Sequence, residues 1–137
     1  NLKYFCKQRP YYFCDKTLGE KDDEIRKDKN SVVKYSVHKG YYEYFTALRA
    51  QIISAVDKNC SSARKKKIIF AGHSLGGTVA SLAFLDYLQS ARANDFSAIE
   101  CFTFGCPRFA NVNFCINAES IIEKSSYPKY SHISSLK

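Results

Sequence analysis

Ten residues constrain this chain more than the rest: Ile68-Ile69-Phe70-Ala71-Gly72-His73-Ser74-Leu75-Gly76-Gly77. An apolar run rich in β-branched residues stops at Gly72. Gly72-x-Ser74-x-Gly76 follows, and at once an apolar segment of helical composition runs from Leu75 to Leu88. Strand, tight turn and helix, with a serine at the turn, form the pattern of a nucleophile elbow. The chemistry explains the residue types. The serine hydroxyl must project freely from a strained turn at the carboxyl end of a strand. Gly72 and Gly76 flank it, and a Cβ at either is expected to crowd the turn or the neighbouring strand. His73 is expected beside the serine as part of the elbow. The helix that starts here directs its free N–H groups and positive end at the turn. The backbone N–H of Leu75 is thereby a candidate oxyanion donor. The alternative is a serine that only caps a helix after a glycine turn. The strand and helix on either side favour the nucleophile.

A chain of 137 residues supports one core and not two domains. No apolar run approaches the ~20 residues of a membrane span, and Val79 to Leu85 reads as a buried helix face. The chain has no Met and no visible signal peptide, so it is expected to be a piece of a longer product or a processed form. The net charge of +8 comes largely from Arg64-Lys65-Lys66-Lys67 and from Lys3, Lys7, Arg9 and Lys16. A solvated surface is the first reading of that excess; attraction to an anionic lipid surface is the sharper one. Nucleic acid is not expected, because no recognition motif accompanies the charge. Six cysteines stand at 6, 14, 60, 101, 106 and 115. Their even number suits a secreted or lumenal, disulfide-bonded protein, with 15 possible pairings. No C-x-x-C pair occurs, so no zinc site is expected. Cys101 sits in an apparent core strand and reads equally well as a buried free thiol.

Taken in order, residues 1–31 carry two aromatic stretches, Asn1 to Cys6 and Tyr11 to Cys14, that read as short strands or loop anchors. The mixed charges of Glu20 to Lys29 read as a solvated loop. Val32 to Val37 reads as a strand. Tyr41, Tyr44, Phe45, Leu48, Ile52 and Val56 then recur at spacings of three and four, the face of an amphipathic helix that ends at Lys58 and Asn59. Glu43 is expected in its first turn, where it suits the helix dipole. Small residues in the helix after Ser74, among them Gly77, Ala80, Ser81 and Ala83, let it lie close on a sheet. Asn94-Asp95 breaks that helix, and Ile99 to Phe104 reads as a strand covered on both faces. A short helix is expected over Asn111 to Ala118 and a further strand over Tyr130 to Ile133. Helix, strand, elbow, helix, strand argues for βαβ units, an α/β class and a parallel sheet.

Three motifs in this order resemble the class 3 (fungal-type) lipase family of the α/β-hydrolases. Val37-His38-Lys39-Gly40-Tyr41 resembles its V-H-x-G-[FY]. Phe70 to Gly77 resembles its G-H-S-L-G-G elbow. Thr103-Phe104-Gly105-Cys106-Pro107-Arg108-Phe109-Ala110-Asn111 resembles its T-[FY]-G-x-P-R-x-[GA]-N. The likeness covers about residues 35 to 115 and implies a partial α/β-hydrolase fold, truncated at both ends, in a single domain. It implies that Ser74 is the acyl nucleophile and that Leu75 N–H serves the oxyanion, with Gly72, His73 and Gly76 supporting the elbow. His73 is not the base. The substrate class implied is acylglycerols or related lipid esters, and no metal or organic cofactor is expected.

The chain also departs from that pattern. Such families order their triad Ser, Asp, His, and the site lies at the carboxyl ends of the strands. Asp86 lies twelve residues down the helix from Ser74, roughly 18 Å at helical rise. Asp95 and Glu100 are expected before the next strand, at the opposite end of the sheet. Glu119 and Glu123 lie on the way to the following strand. The acid is expected just after Tyr130 to Ile133, so the triad Asp and His are expected beyond this chain. His132 reads as a strand or loop histidine and not as the base. The F-R-G-[ST] segment that resembles the family's second oxyanion donor is expected before Asn1. The rival reading is a lipase-like module without catalysis that binds lipid or a partner protein.

Overall fold

The computed structural model describes residues 35–59, 66–90, 93, 95–125 and 128–133. Cys6, Cys14, Cys60, the aromatic stretches and charge run of the first 31 residues, Val32 to Lys34, and Arg64-Lys65 lie outside them. Six elements follow in order: α1 Lys39–Asn59, β1 Lys66–His73, α2 Leu75–Leu88, β2 Phe96–Phe104, α3 Val112–Lys124 and β3 Pro128–Ile133. The three strands form one parallel sheet in the order β1-β2-β3. The α/β reading with two consecutive βαβ units is therefore what the chain builds.

Parallel pairing puts register partners on the same face. Phe70 lies beside Cys101 and Gly72 beside Thr103, and this face packs on α2. The rings of Phe84 and Tyr87 meet Phe70 at 6.4 and 5.9 Å, as aromatic edges and tilted pairs do. From Gly77 to Leu88 every residue of α2 except Asp86 is buried. A helix apolar all round must be covered all round, and α1, α3, β1 and β2 all pack against α2. Phe84 is wholly buried at the centre; Phe84→Ala would cost about 3–5 kcal/mol. Asp86 points to α1, where its carboxylate accepts from the Arg49 guanidinium at 2.9 and 3.2 Å. This exposed pair holds the Arg49 pKa above its ordinary value through the hydrogen bond and the charge.

Several boundaries differ from the sequence reading. Helix α1 begins at Lys39, so Glu43 lies past its first turn and instead pairs with Lys39 at 3.5 Å. Tyr44 is 54% exposed. The buried stripe of α1 runs through Phe45 and the half-buried Leu48, Ile52 and Val56, and Tyr44 falls one position to its side. Of the strand expected over Val32 to Val37, only Val37 is described as paired, in an isolated antiparallel bridge to Ala110. Strand β2 begins three residues earlier than expected, at Phe96, and β3 two residues earlier, at Pro128. Glu100 stands inside β2 and not before it; its carboxylate pairs with Lys67 at 2.7 Å. Helix α3 runs six residues past Ala118, to Lys124. Cys101 and Cys106 are free thiols, and Cys101 and Cys115 are buried.

Candidate active site

Ser74 adopts φ 51° and ψ −122° and is the one non-glycine residue with positive φ among the described residues. Such backbone costs on the order of 1–3 kcal/mol and persists only where the surroundings fix it. Here they do. The Ser74 N–H donates to the carbonyl of Phe104 at the end of β2, at 2.9 Å. The Ser74 carbonyl accepts from Gly77 N–H at 2.9 Å and from Thr78 N–H at 3.4 Å, closing the first turn of α2. The residue is thus held by the strand beside it and the helix after it. Its side chain does not cap that helix, which removes the capping alternative. Ser74 is exposed at the carboxyl end of β1. Leu75 is the first residue of α2, so its N–H is one of those at a helix start that no carbonyl within the helix meets.

The two glycines flanking Ser74 are not equivalent. A Cβ on Gly72 would run into the carbonyl of Gly76 and come within 2.6 Å of the Gly77 nitrogen. A Cβ on Gly76 would meet nothing within 4 Å. The expectation that Gly76 excludes a side chain is therefore overturned. The turn folds the Gly76 backbone down onto Gly72, so the crowding falls on Gly72, while the Cα of Gly76 faces outward. Gly77, which the sequence reading treated only as a small helix residue, is the second tight position. A Cβ there would lie 3.0 Å from Cys106 Cβ and 3.2 Å from the Gly72 carbonyl oxygen.

His73 is exposed at the end of β1, in register with Phe104. Its Nε2 lies 3.6 Å from where a Cβ of Gly105 would be, and Gly105 turns the chain there with φ 55°. His38 serves another purpose. Its N–H donates to Phe109 O at 2.7 Å, and its ring lies 4.5 Å from that of Tyr41. Asn111 N–H donates to Ser36 O at 2.9 Å, and Ser36 N–H donates to Asn111 Oδ1 at 3.2 Å. The first and third motifs are therefore stitched together, which fixes the start of α1 against the loop after β2.

The acids weighed from the sequence lie in pairs or elements away from the elbow turn. Asp86 is taken by Arg49 and Glu100 by Lys67. Asp95 precedes β2, and Glu119 and Glu123 lie on α3. His132 lies in β3, in register with Thr103. Its backbone is two strands from β1, roughly 10 Å. Ser74 Oγ has no hydrogen-bond partner among the described residues. Among them, too, no three His, Cys, Asp or Glu side chains gather as a metal site would require.

Behind the elbow lie two thiols that the sequence reading did not connect to the site. Burial pushes the Cys101 thiol up to about 12, with Cys106 nearby adding to it and a hydrogen bond from Ser81 opposing it. Burial also raises Cys106, against a hydrogen bond with Thr78. Both are neutral thiols near neutral pH. The mostly apolar run of β2 was the one sequence signal for Cys101, and Cys106 lies past its end.

This geometry has relatives. The chain is 30% identical over 93 residues to a lipase from Rhizopus niveus, covering 68% of this chain and 24% of that protein. It is 42% identical over 65 residues to the EDS1B protein of Arabidopsis thaliana, covering 45% of this chain and 9% of that one. The crystal structure of a lipase from Rhizopus microsporus var. chinensis superposes with a TM-score of 0.60 at 28% identity, over 77% of this chain and 36% of that chain. The chain thus spans about a quarter of the length of the Rhizopus niveus lipase and about a third of the solved one. Its fold is a part of the α/β-hydrolase fold. The model for the lipase (class 3) family matches residues 13–133, and the chain belongs to that family.

Proposed function

We propose that the protein is a serine carboxylester hydrolase acting on acylglycerols or related lipid esters, with residues 1–137 contributing part of a single α/β-hydrolase domain. Ser74 Oγ attacks the ester carbonyl, and the negative charge that develops on the carbonyl oxygen is met by Leu75 N–H at the positive end of α2. The C–O bond to the alcohol breaks, the alcohol leaves with the serine proton, and an acyl-enzyme remains for water to hydrolyse. The proton is carried by a histidine oriented by an aspartate, neither of which is among the described residues near Ser74. The observation that carries this reading is the strained φ of Ser74, held from both sides with its side chain free. A helix cap would not need that strain.

The names of the Rhizopus relatives support a lipase. Attraction to an anionic lipid surface fits this arrangement poorly. Of the described basic residues, Lys39, Arg49, Arg108 and Lys124 lie apart, while Lys66 and Lys67 open β1 and Lys58 ends α1 before it. Ser74 lies at the other end, roughly 25 Å away along eight residues of strand. A membrane drawn to those lysines would meet the end of the sheet opposite Ser74. The second reading, a non-catalytic module that binds lipid or a protein, is favoured by one observation: no carboxylate or imidazole among the described residues meets Ser74 Oγ. Fluorophosphonate labelling of the full-length gene product separates the two. Labelling at Ser74 that is lost in Ser74→Ala supports the enzyme; the loss in turnover should be on the order of a million-fold. No labelling of the parent would leave the binding module.

A further inference from the structure

Cys106 occupies the one position of Gly105-Cys106-Pro107-Arg108 that the family pattern leaves open, and the structure gives it a definite neighbour. Its Cβ and Sγ would lie 3.0 and 3.4 Å from a Cβ on Gly77. Its Sγ lies 3.5 Å from Thr78 Oγ1 and 3.5 Å from the carbonyl of Pro107. These contacts accommodate one consistent pattern: the thiol donates to Pro107 O, and the wholly buried Thr78 hydroxyl donates to the sulfur. Gly77 and Thr78 are also the two residues whose N–H groups hold the Ser74 carbonyl. The end of β2 and the loop after it therefore each reach the elbow, the first through Phe104 O on the Ser74 N–H and the second through the Cys106 side chain on the turn that follows.

We infer that Cys106 is a positioning residue for Ser74: its side chain is the stop against which the Gly77-Thr78 turn is set. The inference rests on Ser74 being the nucleophile, but its geometry does not. A smaller side chain that keeps a hydroxyl at this place still partners Thr78. A larger one pushes on Gly77, where even an added Cβ would stand only 3.0 Å from Cys106 Cβ. Displacement passes directly to the Ser74 carbonyl and so to the direction of the hydroxyl, where a misplacement near 1 Å is worth about a hundredfold in rate.

Cys106→Ser, Cys106→Ala and Cys106→Leu in the full-length gene product test this with two readouts. The first is the rate constant for phosphonylation of Ser74 beside the melting temperature. Cys106→Ser should label within a few-fold of the parent, Cys106→Ala more slowly, and Cys106→Leu more slowly by about tenfold to a hundredfold. The second is hydrogen exchange at the Gly77 and Thr78 amides, which should quicken in Cys106→Leu and stay near the parent in Cys106→Ser. Slowed labelling that tracks melting temperature across all three variants, with unchanged exchange, would make the residue merely structural and overturn the inference. So would parental labelling and exchange in a folded Cys106→Leu. A parent that never labels removes the nucleophile reading; amide exchange then decides whether Cys106 sets the turn.

Discussion

Gly72, Ser74 and Gly76 look interchangeable in importance as letters of one motif, but the backbone makes them respond in opposite ways to substitution. Gly72→Ala places a methyl against the Gly76 carbonyl, which belongs to backbone and cannot rotate away. It should cost more than about 3 kcal/mol or prevent folding, as urea unfolding and soluble yield will report. Gly76→Ala has open space and a negative φ within the first turn of α2. It should be neutral or stabilising by up to about 1 kcal/mol in the same measurement, because alanine restricts the unfolded chain. Ser74 carries its strain for the sake of its hydroxyl. Ser74→Gly removes both the hydroxyl and the penalty of a Cβ at φ 51°. It should unfold at higher urea than Ser74→Ala by about 1–2 kcal/mol, while neither labels. If the two variants have equal stability, the elbow is not strained in solution.

At the scale of elements, stability lies in α2 and in the loop between β2 and α3. Asn111 caps α3, its Oδ1 accepting from Phe114 N–H at 2.9 Å as well as from Ser36 N–H. Asn111→Ala loses both hydrogen bonds and should cost about 1–2 kcal/mol in thermal or urea unfolding. Cys101, under α2, gives a pH signature. Its thiol stays protonated to about 12 in the folded state, against an ordinary value of 9.0. Between those values the unfolded chain binds fewer protons than the folded one, so its contribution is intact below pH 9 and is lost as pH rises towards 12. The slope is at most about 1.4 kcal/mol per pH unit. Melting temperature followed from pH 8 to 10.5 should fall more steeply in the parent than in Cys101→Ala; parallel curves would show that the thiol is not buried as described. The elements that could be read in advance are those whose pattern is local. Leu75 to Leu88 is apolar but for Thr78, Ser81 and Asp86 and reads as a buried helix, and its bounds match. The elbow was legible because its glycines and serine report backbone geometry. The stitching of Val37-His38 to Phe109-Ala110 was not legible, since it is backbone pairing across about seventy residues of sequence. Nor was the asymmetry of Gly72 and Gly76, which depends on how the turn folds back.

The whole molecule shows one well-covered face of the sheet and one open among the described residues. Ile68, Phe70, Cys101 and Thr103 lie towards α2, whereas Ile69, Ala71, His73 and Phe104 point the other way, with Ile69 53% and Phe104 41% exposed. Parallel sheets are as a rule covered on both faces. The edge of β1 away from β2 opens on an apolar groove of about 450 Å³, lined by Tyr44 and Leu48 of α1, by Ile69 and by Leu75 of α2. The same side of the molecule holds Ser74, whose hydroxyl meets no base among the described residues. Without one the serine hydroxyl is a poor nucleophile near neutral pH. What remains is the Leu75 N–H at the end of α2 and whatever binding the groove provides, terms that give at most about 10³–10⁴ over water. Residues 1–137 by themselves should therefore hydrolyse a p-nitrophenyl ester at that residual level, and the full-length gene product should exceed them by several further orders of magnitude. The comparison requires both to be folded, which near-ultraviolet circular dichroism reports through the aromatic core of Phe70, Phe84 and Tyr87. If folded residues 1–137 match the full-length rate, a complete triad exists within them, and His132→Ala becomes the decisive variant because β3 brings that residue to the carboxyl end of the sheet. If neither protein turns over, Ser74 is held in its strained turn without a base to use it, and the reading of a binding module prevails.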